Sequence, residues 1–454
     1  MKKYIIYSMI IASAAFSSGC NLLDREPIAF PTESNFYTDQ GGLEGGVIGI
    51  YDAFQSGNMY GGNFISTMER RSDNVKNNNS GGGGGIEYAI SHFTETPESS
   101  VILNGWRGLY VAILRANLVL LSVDNVKLSA DAAIKIKGQA SFLRALSYFH
   151  LVRLYGPVPL ILKPQLPEEA RNNKLASIDE IYAQIIADLQ IAQSLPPKWE
   201  QGRVTSYAAT TLLAKVYLYR KEWDKVESLL TPLVNEITGA KSNIALVPPA
   251  MTFPNELKSS KDVIFAIQYL KGGVGESVHQ NNRYRNQDGG NDILIPESIF
   301  EEGDSRKILL APPSSGNRPI KFNMPAASNE TDGDMPVLRA AEVMLMYAEA
   351  INEKLPDGAI PSNAAFDAIN AVRINAGIDN AILSSVTTPT KEAFRTALYK
   401  ERRLELALEC DRWFDIVRTG QFESINPGVD PGKKLYAYPQ RELEILNDPD
   451  SWVR

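Results

Sequence analysis

The sequence predicts a mostly α-helical protein, a superhelix of tetratricopeptide-like helix hairpins with one loop-rich, irregular insertion. Three observations predict this fold class. Apolar residues recur every three or four positions through most of the chain. Residues 205–234 have the pattern of two helices joined by a tight turn. Proline, glycine, asparagine and serine accumulate from about residue 239 to 335. With 454 residues, 44% of them hydrophobic, the chain can bury a sizeable core.

The first twenty residues have the layout of a bacterial lipoprotein signal. Two lysines precede an apolar run, and small residues then lead directly to Cys20. The run is shorter than the roughly 20 residues that a spanning helix needs. We expect residues 1–19 to be a signal peptide and Cys20 to carry a lipid anchor. Ser17 stands where a lipobox usually has leucine, and an ordinary cleavage site with an incidental cysteine is the alternative.

Capping residues predict where the later helices begin and end. Serines and threonines cap helix N-termini by accepting hydrogen bonds from free backbone amides, and glycine favours helix ends. The expected caps and stops are Ser129, Gly156, the capping-box pair Ser177 and Glu180, Ser362 and Gly377. Helices are also expected over 336–353 and, as the last long helix, over 391–420.

The segment "TSYAATTLLAKVYLYRKEWDKVESLLTPLV" predicts a tetratricopeptide-like hairpin. Ala214 and Tyr217 share one face of its first helix, while Val226 and Leu230 face back from the second. A small residue lets the helices approach, and the tyrosine fills the gap. In the insertion, "DVIFAIQYL" predicts a strand or buried segment. No composition shift is sharp enough to divide residues 20–454, so we expect a single domain.

Charge and motifs exclude several classes of function. A net charge of −7 argues against nucleic-acid binding, which selects basic surfaces. The three histidines form no H-E-x-x-H motif, and no G-x-S-x-G motif occurs. His150 is expected in the core, and Cys410 is expected to be a small buried hydrophobe. The run "NNNSGGGGG" lacks the lysine of a phosphate loop and predicts a flexible surface loop.

Several motifs in chain order resemble one family, the SusD/RagB-like outer-membrane lipoproteins of Bacteroidetes. They are "CNLLDREP", "ERRSDN", "WRGLYVAILRAN", "GQASFLRALSYFHLVRLYGPVPL", "PVLRAAEVMLMYAEAIN", "AFDAINAVRINAG", "ERRLELALECDRWFDIVRTG" and "LYAYPQREL". Cys410 departs from the pattern, because a glycine is expected before "RW". The resemblance implies a non-catalytic surface receptor without a cofactor. Its expected partner is a SusC-like TonB-dependent transporter in the outer membrane, and its expected ligand is an oligosaccharide, or a peptide in the RagB branch.

Sugar binding needs aromatic rings for apolar ring faces and amides, carboxylates or guanidinium groups for hydroxyls. Two segments that we expect to be loops, 60–93 and 279–292, combine these residue types, and relatives place their sites nearby. We expect the two segments to meet in one shallow groove. The candidate ligand contacts are Tyr60, Arg71, Asp73, Asn78, Tyr88, His92, Arg283 and Tyr284, with Phe93, His279, Asn281, Asn282, Arg285 and Asp292 in the same segments. Trp106, Trp413, Tyr347 and Trp223 are expected to be structural.

The alternative from another class is a lipid-anchored glycan-cleaving enzyme. Such enzymes use two facing carboxylates, and acids are plentiful here. Those expected on the last long helix alternate with arginines, a spacing that favours ion pairs over catalysis. The acids and arginines concerned are Glu401, Arg402, Arg403, Glu405, Glu409, Arg412 and Asp415.

Overall fold

A computed structural model describes residues 36–78, 80–81, 85–198, 202–253, 258–270, 291–293, 295–311, 319–322 and 333–452. Most of these residues are helical, which confirms the predicted class. The helices of seven or more residues are α1 Gln40–Gln55, α2 Gly85–Ser91, α3 Ser100–Ser122, α4 Ala130–Tyr155, α5 Ile178–Ala192, α6 Ser206–Tyr219, α7 Trp223–Thr238, α8 Ala340–Glu353, α9 Asn363–Asn375, α10 Lys391–Glu405 and α11 Arg412–Arg418. Helices of four or five residues are Pro167–Ala170, Pro249–Thr252, Arg306–Leu310, Phe422–Ile425 and Gln440–Glu444.

Four short strands form two antiparallel pairs. They are β1 Val75–Asn77, β2 Val263–Ile267, β3 Asn291–Ile293 and β4 Met335–Arg339. Strand β1 pairs with β3, and β2 pairs with β4. The strand predicted from "DVIFAIQYL" is therefore present as β2. The helix predicted to start at residue 336 starts at Ala340 instead. The preceding residues, "PVLR", belong to β4 and pair with β2.

The predicted caps are found at their expected positions. The Ser129, Ser177 and Ser362 side chains each accept a hydrogen bond from a backbone amide three residues ahead. Glu180 completes the capping box, because its carboxylate accepts from the Ser177 amide at 2.8 Å. Gly156 and Gly377 end or follow helices with φ of +73° and +91°, a left-handed conformation that favours glycine.

Successive helices pack against one another in chain order, as expected of a superhelix. Helices α6 and α7 form the predicted hairpin, with Ala214 and Val226 fully buried and Tyr217 8% exposed. The buried apolar residues form one cluster from Leu43 to Trp452. The span Ser100–Asn125, which contains α3, is long and apolar enough to cross a membrane, but half of its most apolar window is buried. We interpret α3 as a core helix that packs against α1 and α4.

The predicted long C-terminal helix is broken into two. Helix α10 ends at Glu405 and α11 begins at Arg412, with a turn between them. Leu408 and Cys410 in this turn have φ of +67° and +64°. Side chains strongly disfavour this conformation. The position of Cys410 thus requires the conformation for which glycine is suited, which explains why glycine is expected there. Cys410 is buried, as predicted.

The acids and arginines assigned to that helix form the expected ion pairs, but the pairs are buried between elements. Arg339 at the end of β4 pairs with Glu405 at 2.9 Å and with Glu409 at 2.8 Å. Arg402 pairs with Asp415 at 2.9 Å. Each of these side chains is at most 6% exposed. Breaking one such pair leaves an uncompensated buried charge. Arg306 and Lys321 of the insertion join the same network through Glu401 and Glu409, so the network ties the insertion to the helices.

Candidate functional site

The candidate site is built on residues 60–93, which are not a loop. They contain a π-helical turn at Ile65–Glu69, strand β1 and helix α2. Strand β1 pairs with β3, and Val75 lies opposite Ile293 while Asn77 lies opposite Asn291. The 60–93 and 279–292 segments therefore meet at this pair of strands, as predicted. Residues 279–290 lie outside the described residues, so the shallow groove stays a prediction. Helix α2 packs on β1, because the Asn77 amide donates to the Ser91 hydroxyl at 3.0 Å.

Tyr60 lies in the core and cannot serve as the surface contact predicted for it. It is 3% exposed, and its hydroxyl is 2.9 Å from His150 Nε2. Arg153 lies 3.0 Å from His150 Nδ1. Because an arginine only donates, Nδ1 accepts and the neutral ring carries its proton on Nε2, which faces Tyr60. Burial lowers the pKa of His150, and the charges of Arg153 and Lys215 lower it further. His150 is thus the core histidine that the sequence predicted.

Arg71 is likewise buried, at 1% exposed, and its predicted role in ligand contact is wrong for the same reason. Its guanidinium lies 4.0 Å from the ring centre of Tyr436 and 5.0 Å from that of Trp413. It also pairs with Glu95 at 3.2 Å. Phe93, half-buried, packs on Trp413. These contacts tie the end of the segment to the C-terminal part of the chain.

Asp73 is held by arginines from the C-terminal helices. Its two carboxylate oxygens accept from Arg412 at 2.7 and 3.0 Å, and Arg403 lies 3.2 Å away. Burial alone would raise the pKa of Asp73, but the hydrogen bond and charge of Arg412, with the charge of Arg403, lower it below 3.8. Because both oxygens are engaged, the structure gives Asp73 the role of anchoring the segment.

Glu69 anchors the same segment from the inside. Its carboxylate accepts from the Cys410 amide at 3.0 Å, the Asn74 amide group at 3.2 Å and the Leu408 amide at 3.3 Å. It thereby provides hydrogen-bond acceptors for two backbone amides of the left-handed turn between α10 and α11. Burial raises the pKa of Glu69 to about 7, although these hydrogen bonds oppose the shift. The motif "ERRSDN" marked this segment, but the sequence did not predict Glu69.

Tyr88 in α2 and His92, which directly follows it, form a half-buried aromatic pair. They lie four residues apart on one helix face, and their rings are nearly parallel, with centroids 3.9 Å apart. His92 Nδ1 is 2.9 Å from the Tyr88 carbonyl oxygen, so it must carry the proton that it donates. In the neutral ring Nε2 is then left as an acceptor. The pair thus combines fixed ring faces with a polar edge.

Polar groups are present on the same two elements, β1 and α2. Asn78 is exposed at the end of β1. Glu87 is held by Arg70 at 2.9 Å and by the Asn77 side chain at 3.0 Å. Sequence reasoning missed Glu87 and Arg70; Arg70 directly precedes the predicted Arg71. We define the platform as α2, β1 and the side chains of Asn78, Tyr88 and His92.

The remaining predicted positions cannot be placed. Cys20, Arg283 and Tyr284 lie outside the described residues, as do His279, Asn281, Asn282 and Arg285. In the described part of the chain no group of three or more His, Cys, Asp or Glu side chains could hold a metal ion. The structure therefore brings Tyr88 and His92 together, and it leaves Asn78 exposed directly after β1, the strand on which α2 packs. It places Tyr60 and Arg71 in the core and Asp73 in an ion pair with Arg412.

Two family models match the chain in order. One, described as "starch-binding associating with outer membrane", matches residues 26–218, and the other, described as "SusD family", matches residues 321–443. SusD-like protein P25 of Formosa agariphila is 25% identical over 98% of this chain and 97% of its own length. A SusD-like protein of Bacteroides ovatus is 24% identical over 90% of this chain and 81% of its own length.

Solved structures share the fold. A laminarin-binding SusD-like protein superposes with a TM-score of 0.74 at 24% identity, over 90% of this chain and 98% of that one. Surface glycan-binding protein A from Bacteroides fluxus gives a TM-score of 0.76 at 20% identity, over 92% and 99% of the two chains. These structures show the shared fold. The two family models, which together match more than half of the chain, show that it belongs to the SusD/RagB family. This is a family of binding proteins rather than enzymes.

Proposed function

We propose that this protein binds a carbohydrate at the outer membrane and delivers it to a SusC-like TonB-dependent transporter. Membership of a family described as starch-binding and associated with the outer membrane supports the first part. Two relatives with the same fold are named for binding laminarin and surface glycans. The observation that carries the proposal for this chain is the platform, where stacked rings and polar groups occupy a surface fixed from below.

The platform suits a sugar for physical reasons. Aromatic faces cover the apolar CH surface of a pyranose ring, and the pair Tyr88–His92 is already ordered by its own stacking at 3.9 Å. An ordered pair loses little conformational entropy when a ligand binds. His92 Nε2 would accept from a sugar hydroxyl, and the Asn78 amide would both donate and accept. Arg283 and Tyr284, from the segment that leads into β3, remain proposed contacts.

The membrane attachment follows from the N-terminal sequence. A lipid on Cys20 would hold the chain at the outer membrane, facing the cell exterior, where it would meet both glycan and transporter. We expect Cys20→Ser to give a folded protein that is released from the membrane fraction. Labelled palmitate incorporated into the variant at the wild-type level would contradict the anchor.

Incubation of the purified protein with defined oligosaccharides tests the binding function. The proposal predicts retention of at least one glycan by calorimetry, with no shorter products after prolonged incubation. Release of products would favour a glycan-cleaving enzyme, and retention of peptides but of no glycan would favour a peptide receptor. For the transporter, recovery in mild detergent of this protein without any TonB-dependent barrel, from cells that express both, would contradict the delivery step.

A further inference from the structure

A cleft in the described part of the chain lies away from the platform. It has a volume of about 490 Å³, within the range of small-molecule pockets. One wall is β2 with the residues that precede it, and the other is the segment that leads into α6. The walls approach closely at Gly202, whose φ is +79°, where a Cβ atom would lie 2.0 Å from Gln268 Oε1. None of the platform residues lines this cleft.

The charge of the cleft differs from that of the chain. Four basic residues line it, Lys198, Arg203, Lys258 and Lys261, against one acid among the described lining residues, Asp334. The chain as a whole has a net charge of −7. Clefts lined by one sign of charge concentrate ligands of the opposite sign, because their low-dielectric walls focus the field.

The single acid is already engaged. Asp334 has a side chain that is 2% exposed, and its Oδ1 accepts from the Tyr269 amide at 3.0 Å. Lys258 Nζ lies 3.2 Å from the same oxygen and also donates to the Tyr269 carbonyl at 2.6 Å. Asp334 and Lys258 therefore offset each other and hold the wall in place, so the acid adds little negative potential to the cleft.

Two of the lysines keep their charge uncompensated among the described residues. Lys261 is exposed and its Nζ donates to the Ser242 carbonyl at 2.9 Å, which orients the ammonium group without neutralising it. Lys198 is exposed on the opposite wall and makes no ion pair with a described carboxylate. The Thr205, Ser259 and Asn243 side chains add neutral hydrogen-bonding groups between them.

We infer that this cleft is a second binding site, which takes an anionic group of the ligand, the carboxylate of a uronic acid or a sulfate ester. This inference rests on the proposed carbohydrate-binding function and specifies the class of carbohydrate as acidic. Both anions present several acceptor oxygens to lysine donors, and charge-assisted hydrogen bonds of this kind are stronger than neutral ones.

The test compares two double variants with the same change in net charge. Lys198→Gln with Lys261→Gln removes the two exposed charges of the cleft. Lys127→Gln with Lys174→Gln removes two exposed lysines elsewhere and is the matched control. Calorimetry uses oligogalacturonate, a sulfated galactan oligosaccharide and neutral laminari-oligosaccharide, at low and high salt. Melting curves check that each variant is folded.

We expect wild type and control to bind at least one acidic oligosaccharide, and the cleft variant to bind it at least about tenfold more weakly. Added salt should weaken wild-type binding in the same direction. The uronate and sulfate arms identify which anion the cleft takes. Equal affinity of the cleft variant and the control for every acidic ligand overturns the inference. So does wild-type binding of neutral glycans alone, which leaves the proposed function intact, whereas failure to retain any glycan contradicts that function itself.

Discussion

The segment from Glu69 to Phe93 has two sides with different surroundings. Its inward side carries Glu69, Arg71 and Asp73, which bind the turn and helices of the C-terminal part of the chain. Its outward side carries the half-buried pair Tyr88 and His92, whose rings stack on each other. Exposure alone does not separate the two sides, because Asp73 is half-buried as well. Contacts with the C-terminal part of the chain therefore distinguish the supporting side chains from the candidate ligand contacts.

Removal of the Arg71 side chain tests whether the inward side supports the fold. Arg71→Met should lower the free energy of unfolding by about 3 kcal/mol, because it removes a buried ion pair and contacts with Tyr436 and Trp413. Urea unfolding measures this loss. The exposed arginine Arg107 provides a control, since Arg107→Met should cost well under 1 kcal/mol. A loss in Arg71→Met as small as in the control would place Arg71 on the outward side.

Two inward carboxylates, Glu69 and Asp73, should make the free energy of unfolding change with pH in opposite directions. The pKa of Glu69 is raised from 4.5 to about 7, so the folded protein holds a proton that the unfolded chain has lost. Its stabilising contribution is full below about pH 4.5 and is lost as pH rises through 7. The pKa of Asp73 is lowered below 3.8, so its contribution is present above that value and is lost as pH falls through the folded pKa.

Urea unfolding of wild type and Glu69→Gln from pH 5 to 8 tests the first sign. Wild type should lose roughly 2 kcal/mol more than the variant across this range. Asp73→Asn tests the second sign, because its deficit relative to wild type should be constant from pH 5 to 8 and shrink below pH 4. Parallel pH curves for wild type and Glu69→Gln would show that Glu69 is ionised throughout.

The turn between α10 and α11, which Glu69 supports, is tested by a substitution with a smaller expected effect on stability. At Cys410, with φ of +64°, glycine should be more stable than alanine by about 1 kcal/mol, because only glycine adopts this conformation without strain. In the interior of α3 the order should reverse, so Ala112→Gly should be destabilising by about the same amount. Thermal unfolding of Cys410→Gly and Cys410→Ala makes the comparison. Greater stability of the alanine variant would mean that position 410 is not left-handed in solution.

Local patterns in the sequence were enough for the helices, but contacts between distant residues were not. The cap at Ser129 and the Ser177–Glu180 box depend on neighbours within four residues, so the sequence reveals them. The break after Glu405 depends on the Glu69 carboxylate, more than three hundred residues away, which accepts from the Leu408 and Cys410 amides. Helical periodicity continues through this turn and carries no sign of the break.

The candidate site also depends on contacts between distant residues, which local sequence patterns do not reveal. Composition identified the segment, and the sheet pair β1–β3 confirmed that it meets the second segment. Composition could not separate Arg71 from Tyr88, because the aromatic rings that enclose Arg71 come partly from residues 413 and 436. The pair Tyr88–His92 was within reach of the sequence, since a spacing of four residues on a predicted helix would place both rings on one face. The composition of this segment predicts a loop instead, in which a spacing of four residues does not place two rings on one face.

The central claim is that the outward side binds the glycan while the inward side only supports it. Calorimetry of Tyr88→Ala and His92→Ala with the best-bound oligosaccharide tests it most directly, with Ile178→Ala on α5 as an exposed control. Loss of one stacking ring should weaken binding about tenfold. Both platform variants should unfold within about 1 kcal/mol of wild type, because both side chains are only half-buried and contact mainly each other. Wild-type affinity in both platform variants, or a large loss of stability in both, would contradict the account.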